Sequence, residues 1–216
     1  NKNEDVLITK NETSIVTLEN YIINGKNIIF DNKNRIIFSK NSATLKSPDN
    51  KLIYLEEFEY SLKNNFLKSI GKIKLVDNNK NILEFAQIYV DIASKEIVGT
   101  DAKVFLNDNQ FKINSSNDPR IFSNTVKIKN NKTEFSKSVF TMCGYRENKK
   151  CPPWELRADK MTHDDISKTI YYDNTVLKIY NVPIFYFPKI FHPDPTVERR
   201  SGFLPPTLND SKNLGT

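Results

Sequence analysis

The chain predicts an all-β fold, a stack of antiparallel hairpins folded over into a jelly roll, on three observations. Short runs of β-branched and aromatic residues alternate with polar turns, helical periodicity is nearly absent, and apolar and polar residues alternate with period two inside the runs. The clearest hairpin is NIIF-DNKN-RIIF (27–38), where two apolar strands flank Asp31, Asn32, Lys33 and Asn34. ATLK-SPDN-KLIYLEEF (43–58) repeats the plan around Pro48 and Asp49, and GKIKLV-DNNKN-ILEFAQIYV (71–90) follows. Later copies run over 88–106, 111–128, 125–140 and 158–180. Turn centres fall near residues 32, 49, 78, 94, 116, 130 and 165, a degenerate repeat of one hairpin per unit, as expected of a stacked architecture.

Alternation inside the strands says what the stack buries. In KIKLV, Ile73 and Leu75 face one way while Lys72 and Lys74 face the other. In AQIYVDI, Ala86, Ile88, Val90 and Ile92 share a face opposite Gln87, Tyr89 and Asp91; in TVKIKN, Val126 and Ile128 oppose Lys127 and Lys129. Each strand thus has one dry and one wet face, and such hairpins close over an apolar interior. Two architectures share this pattern. One is a β-sandwich with a filled core. The other is an apolar groove left partly open for a hydrophobic ligand, lined by Ile73, Leu75, Ile88, Val90, Ile92, Val126 and Ile128. Periodicity alone does not separate them, because the inward faces are identical.

Composition narrows the partners. The 216 residues are 38% hydrophobic and 27% charged, with a formal net charge of +6. The 26 lysines are scattered and outnumber the 6 arginines, whereas bidentate phosphate recognition favours Arg. No nucleic acid is expected, while an anionic lipid head is compatible with the charge. No apolar run approaches the roughly 18–20 residues of a membrane-spanning helix. The start, NKNEDVLITK, has no initiator Met or signal-like core, and the end, NDSKNLGT, caps no element; a fragment of a longer chain is expected. Cys143 and Cys151 bracket a seven-residue loop. A disulfide there, in an oxidising compartment, would contribute about 2–3 kcal/mol by chain entropy, with two free thiols as the alternative. A zinc site from Cys143, Cys151, His163 and His192 would need C-x7-C-x11-H-x28-H, which is no compact ligand spacing. Asp164–Asp165 and Asp194 read as turn residues, neither histidine has a local nucleophile, and no phosphate-binding glycine motif occurs. Neither catalysis nor a cofactor nor a metal is expected.

The C-terminal third carries the specific signal. Residues 183–206, PIFYFPKIFHPDPTVERRSGFLPP, hold six of the ten prolines and four phenylalanines. Just upstream, in order, come the Cys143–Cys151 loop, Pro153–Trp154 with ELRADKM, and the hairpin TIYYDNTVLKIYNVPIFYFP. Residues 139–206 resemble the lipopolysaccharide-assembly outer-membrane protein family, LptD (also called OstA). The resemblance implies a periplasmic β-jellyroll over 1–182, a proline-rich linker over 183–198 and the start of a transmembrane β-barrel over 199–216. It implies lipopolysaccharide as cargo, a bridge protein of similar jellyroll fold (LptA-like), a lipoprotein plug (LptE-like) in the barrel, and an outer-membrane location with this region in the periplasm. The prolines at 183, 188, 193 and 195 would stop the strand ladder. Arg199 and Arg200 would sit at the membrane edge near anionic heads, and Pro205 and Pro206 would weaken the first barrel strand into a lateral gate. The family pairs periplasmic cysteines with distant barrel cysteines; here the available pairing is Cys143–Cys151.

Overall fold

The computed structural model describes residues 5–107, 117–143, 153–194 and 197. Among them the hairpins form one antiparallel sheet of sixteen strands, without a helix. Eight short strands come first: β1 (Val6–Ile8), β2 (Thr13–Val16), β3 (Ile22–Gly25), β4 (Ile29–Asp31), β5 (Ile36–Ser39), β6 (Ala43–Lys46), β7 (Leu52–Leu55) and β8 (Glu57–Ser61). Eight long ones follow: β9 (Phe66–Val76), β10 (Ile82–Asp91), β11 (Glu96–Phe105), β12 (Asn117–Lys129), β13 (Lys132–Cys143), β14 (Trp154–Asp164), β15 (Thr169–Ile179) and β16 (Val182–Pro193). Six of the expected turn centres fall between paired neighbours, and the one near 116 lies outside the described residues. The abundance of Asn has a use here. Asn20, Asn50, Asn65, Asn130 and Asn181 take positive φ at the turns, where a short polar side chain tolerates the left-handed region best after glycine.

The sheet is split at one end. β9 pairs along its length with β10, but its other edge meets β8 through residues 66–70 and β7 through residues 74–76. Upstream, two arms diverge, β8-β5-β4-β1 and β7-β6-β3-β2. Downstream, each long strand continues both arms. The ladder between the long strands omits one row, Gly71, Ala86, Asp101, Asn124, Lys137, Asp159, Asn174 and Pro188. Gly71 (φ 113°), Asp101 (52°), Lys137 (52°) and Asn174 (51°) are left-handed on alternate strands. The row holds a β-bulge between β9 and β10, which bends and twists its strand, and between the other long strands it leaves the register unchanged. It creases the sheet into two leaves.

The crease corrects the inward pattern at one position. In β10, Leu83 and Phe85 are buried, then Ile88 and Val90; Ala86 is exposed, not on the dry face that strict alternation assigns it. β12 slips in the same way (Ile121 and Ser123, then Val126 and Ile128), as does β14 (Leu156 and Ala158, then Met161 and His163). Contacts across the fold bring the leaves together. Phe140 of one leaf lies 5.0 Å from His192 and 6.2 Å from Tyr172 of the other, between ring centroids. The Phe85 ring covers Gly99, leaving no room for a Cβ.

The proline-rich segment also departs from expectation, since a strand continues from Val182 to Pro193 where a linker was expected from residue 183. Pro188 falls in the crease row, where no ladder bond forms, and Pro183 sits beside the register shift at Leu177/Lys178. Pro193 is the last residue of a strand that is at the edge among the described residues. At these places a missing N–H costs little. Pro195 and residues 198–216, including Arg199, Arg200, Pro205 and Pro206, lie outside the described residues.

Candidate functional site

The seven groove candidates all point into the space between the leaves. Ile88, Val90, Ile92 and Val126 are 0% exposed, Leu75 1%, Ile73 2% and Ile128 5%. They share one apolar cluster with Phe85, Phe135, Phe140, Trp154, Met161 and Tyr172. At these positions the interior is packed with side chains, and one space that reaches it among the described residues is at the mouth, where turns of the two leaves meet. A cavity of about 400 Å³ lies there, lined by Tyr21, Pro48, Lys51, Lys95, Ile97 and Ile128 among others. Its floor is apolar and its rim is basic and polar. Burial first, and then the charges of Asp49, Asp91 and Glu19, push the Tyr21 phenol up to about 12. Close by, Asn65 of one leaf donates to Glu19 Oε1 of the other at 2.8 Å.

Farther along the mouth lies a polar cluster that sequence reasoning missed. His163 closes β14 and is 4% exposed. Its Nε2 meets Asp194 Oδ2, and its Nδ1 lies 3.3 Å from Asp165 Oδ1. Asp194 is itself 4% exposed and held by its backbone N–H donating to Lys168 O at 3.0 Å. From the other leaf come the charge of Asp77, which acts on His163, and that of Lys51, which acts on Asp165. Burial pulls the imidazole down, but the hydrogen bond to Asp194 and the charges of Asp194, Asp165 and Asp77 outweigh it, so its pKa is raised. Burial raises both Asp77 and Asp165. Asp164, by contrast, is the turn residue expected, its Oδ1 accepting from the N–H groups of Ile166 and Ser167 at 3.0 and 3.1 Å.

The second histidine sits beside this cluster with a different role. His192 Nδ1 contacts Pro193 O at 2.6 Å, and its Nε2 lies 2.6 Å from the Tyr172 hydroxyl. A carbonyl accepts only, so Nδ1 carries the proton and Nε2 accepts from the tyrosine. Burial lowers this imidazole's pKa and keeps it neutral. No motif marks either site, because the partners lie 31 and 20 residues apart in sequence. Among the described residues no His/Cys/Asp/Glu group has the arrangement to hold a metal ion. Cys143 ends β13 and Cys151 lies outside the described residues, so the expected pairing falls outside them too; no disulfide occurs among those described.

No protein-family model matches the chain. It is 44% identical over 64 residues to the LPS-assembly protein LptD of Polaromonas sp., a match covering 30% of this chain and 8% of that protein. It is 23% identical over 146 residues to the LPS-assembly protein LptD of Pseudomonas putida, covering 67% of this chain and 14% of that protein. The matches thus span a small part of the relatives' length, and they relate the chain to the LptD family.

Proposed function

We propose, from this relationship, that the chain is a lipid-handling part of a lipopolysaccharide-assembly protein at the outer membrane. In this reading the folded sheet lies in the periplasm. It accepts lipopolysaccharide from an LptA-like bridge protein of similar fold and passes it to a barrel plugged by an LptE-like lipoprotein. The carrying observation is the match at 44% identity to a protein named for LPS assembly. The architecture is consistent with it. Acyl chains need a continuous apolar seam, each buried CH2 being worth about 0.8 kcal/mol, and one apolar cluster runs between the leaves. Among the described residues the sheet is open at β1 and β2 on one side and at β16 on the other, leaving edges to which a similar sheet can add. No catalytic step belongs to this reading.

A photoreactive residue placed at Ile97 or Ile128, which line the mouth, tests it in cells making the full-length protein. Lipopolysaccharide adducts are expected there and not at the outward-facing Lys127. Their absence from both positions in folded protein would overturn the reading. One observation favours a second reading, a structural or protein-binding domain with a filled core: all seven groove candidates are at most 5% exposed. The two readings differ in whether the leaves part.

A further inference from the structure

The last hairpin, β15–β16, ends unlike the others. The other described turns between long strands carry Asp77 and Lys80, Lys95, Asn130 and Asn131, or Asp165 and Lys168. That of the last carries Tyr180, 72% exposed. In the strand that follows, Val182, Ile184, Phe185 and Tyr186 are 53–57% exposed. These side chains occupy both faces. Phe185 continues the inner row of Phe140, Leu156 and Leu177, the first two of which are at most 4% exposed. Tyr186 continues the outer row of Arg157 and Val176. Among the described residues the dry face of the sheet thus runs out uncovered at its last strand. Past Pro188 the inner side of β16 is covered again, with His192 2% exposed and Ile190 packed on the core. From Asn174 to Pro193 the charged side chains are Lys178 and Lys189, and no carboxylate occurs.

We propose that the β15–β16 tip docks on a phospholipid bilayer: Tyr180, Val182, Ile184, Phe185 and Tyr186 enter the boundary between head groups and acyl chains, and Lys178 and Lys189 meet anionic heads. Apolar side chains on both faces point to a surrounding medium rather than to a protein surface. A second sheet laid on β16 covers one face and leaves the other wet, whereas a bilayer encloses an inserted tip on both. Strand addition is poorly served as well. Asp194 donates its backbone N–H to Lys168 O, so in the alternating ladder the nitrogen of Pro193 faces away from β15, and a proline there offers the free edge no donor. Tyrosine suits a head-group boundary, because its ring is apolar and its hydroxyl keeps a polar partner; that of Tyr186 donates to Asn174 Oδ1 at 2.9 Å. The unpaired backbone of an edge strand needs water or polar heads, which limits the tip to shallow insertion. Docking of this kind does not depend on what lies between the leaves.

Flotation of the 216-residue chain with vesicles of phosphatidylethanolamine and phosphatidylglycerol, free of lipopolysaccharide, tests the tip. The wild type is expected to float with them, and to float less with vesicles of phosphatidylcholine alone. The variant Tyr180→Ser/Ile184→Ser/Phe185→Ser should partition about tenfold less or weaker still. All three side chains are more than half exposed, so the fold should survive, which circular dichroism checks. Val16→Ser/Leu18→Ser, also exposed but at the other end of the sheet, should float as the wild type does. If the tip variant unfolds, Lys178→Gln/Lys189→Gln decides: it should lower flotation on the anionic vesicles to the level seen with phosphatidylcholine, and unchanged flotation overturns the docking. Wild-type chain that stays soluble, or a folded tip variant that floats like the wild type, overturns it equally. A dimer in sedimentation that the tip variant abolishes, without flotation of the wild type, overturns it and assigns the tip to a second copy. Because these vesicles hold no lipopolysaccharide, failure here leaves the cargo reading to the adducts at Ile97 and Ile128, and absence of those adducts leaves the docking standing.

Discussion

Tyr172 and His192 illustrate what a single buried contact decides. Tyr172 is 1% exposed and its hydroxyl is 2.6 Å from His192 Nε2. Tyr172→Phe keeps the ring in the apolar cluster but leaves that nitrogen an acceptor without its donor, sealed from water. A loss of about 1–3 kcal/mol is expected, read as a lower urea midpoint with unchanged slope. His163, two strands away in the same row, obeys the opposite logic, since carboxylates rather than a hydroxyl face it. The two histidines of the chain thus sit in one neighbourhood with pKa values shifted in opposite directions. Nothing in their local sequence distinguishes them.

At the scale of an element, the long strands owe their shape to the crease. Lys137, mid-strand in β13, holds φ at 52°, and its Nζ pairs with Asp159 Oδ1 of the same row at 2.6 Å. Lysine is tolerated there because its Cβ is unbranched. Lys137→Val adds a branch in the left-handed region and should cost about 1–2 kcal/mol. The same change at Lys103, an exposed extended position of β11, should fall within about 0.5 kcal/mol. Thermal melts of the two variants make the comparison, and equal melting temperatures would deny that the row is conformationally special. The crease also explains Pro188, a strand breaker by composition that is harmless in a row without ladder bonds.

For the whole molecule, the leaves act as one body because their inner faces share a core. Ile88 is 0% exposed in that core, so Ile88→Ala should cost about 2–5 kcal/mol through lost burial and the cavity left behind. Chemical denaturation by circular dichroism measures it, and a change under about 1 kcal/mol would mean that the leaves are loosely packed at this point. A charged residue at Ile88 would test folding before it tested lipid contact, which is why the probes for cargo belong at Ile97 and Ile128.

The sequence by itself determined the all-β class, six turn centres, and the inward direction of Ile73, Leu75, Ile88, Val90, Ile92, Val126 and Ile128. These depend on period-two alternation and on turn chemistry, both local. It also carried a resemblance to the LptD family, read from ELRADKM and the proline-rich hairpin. Only the tertiary structure decided the slip that turns Ala86 outward and Phe85 inward, because the crease shifts which residues of a strand face inward without leaving a hydrophobic signature of its own. The continuation of β16 through three prolines was likewise decided by which backbone groups lack a neighbour there. The assembly of His163, Asp165, Asp194 and Asp77 at the mouth belongs to the fold alone: it depends on how a creased sheet brings distant turns together, and no spacing along the chain encodes that distance.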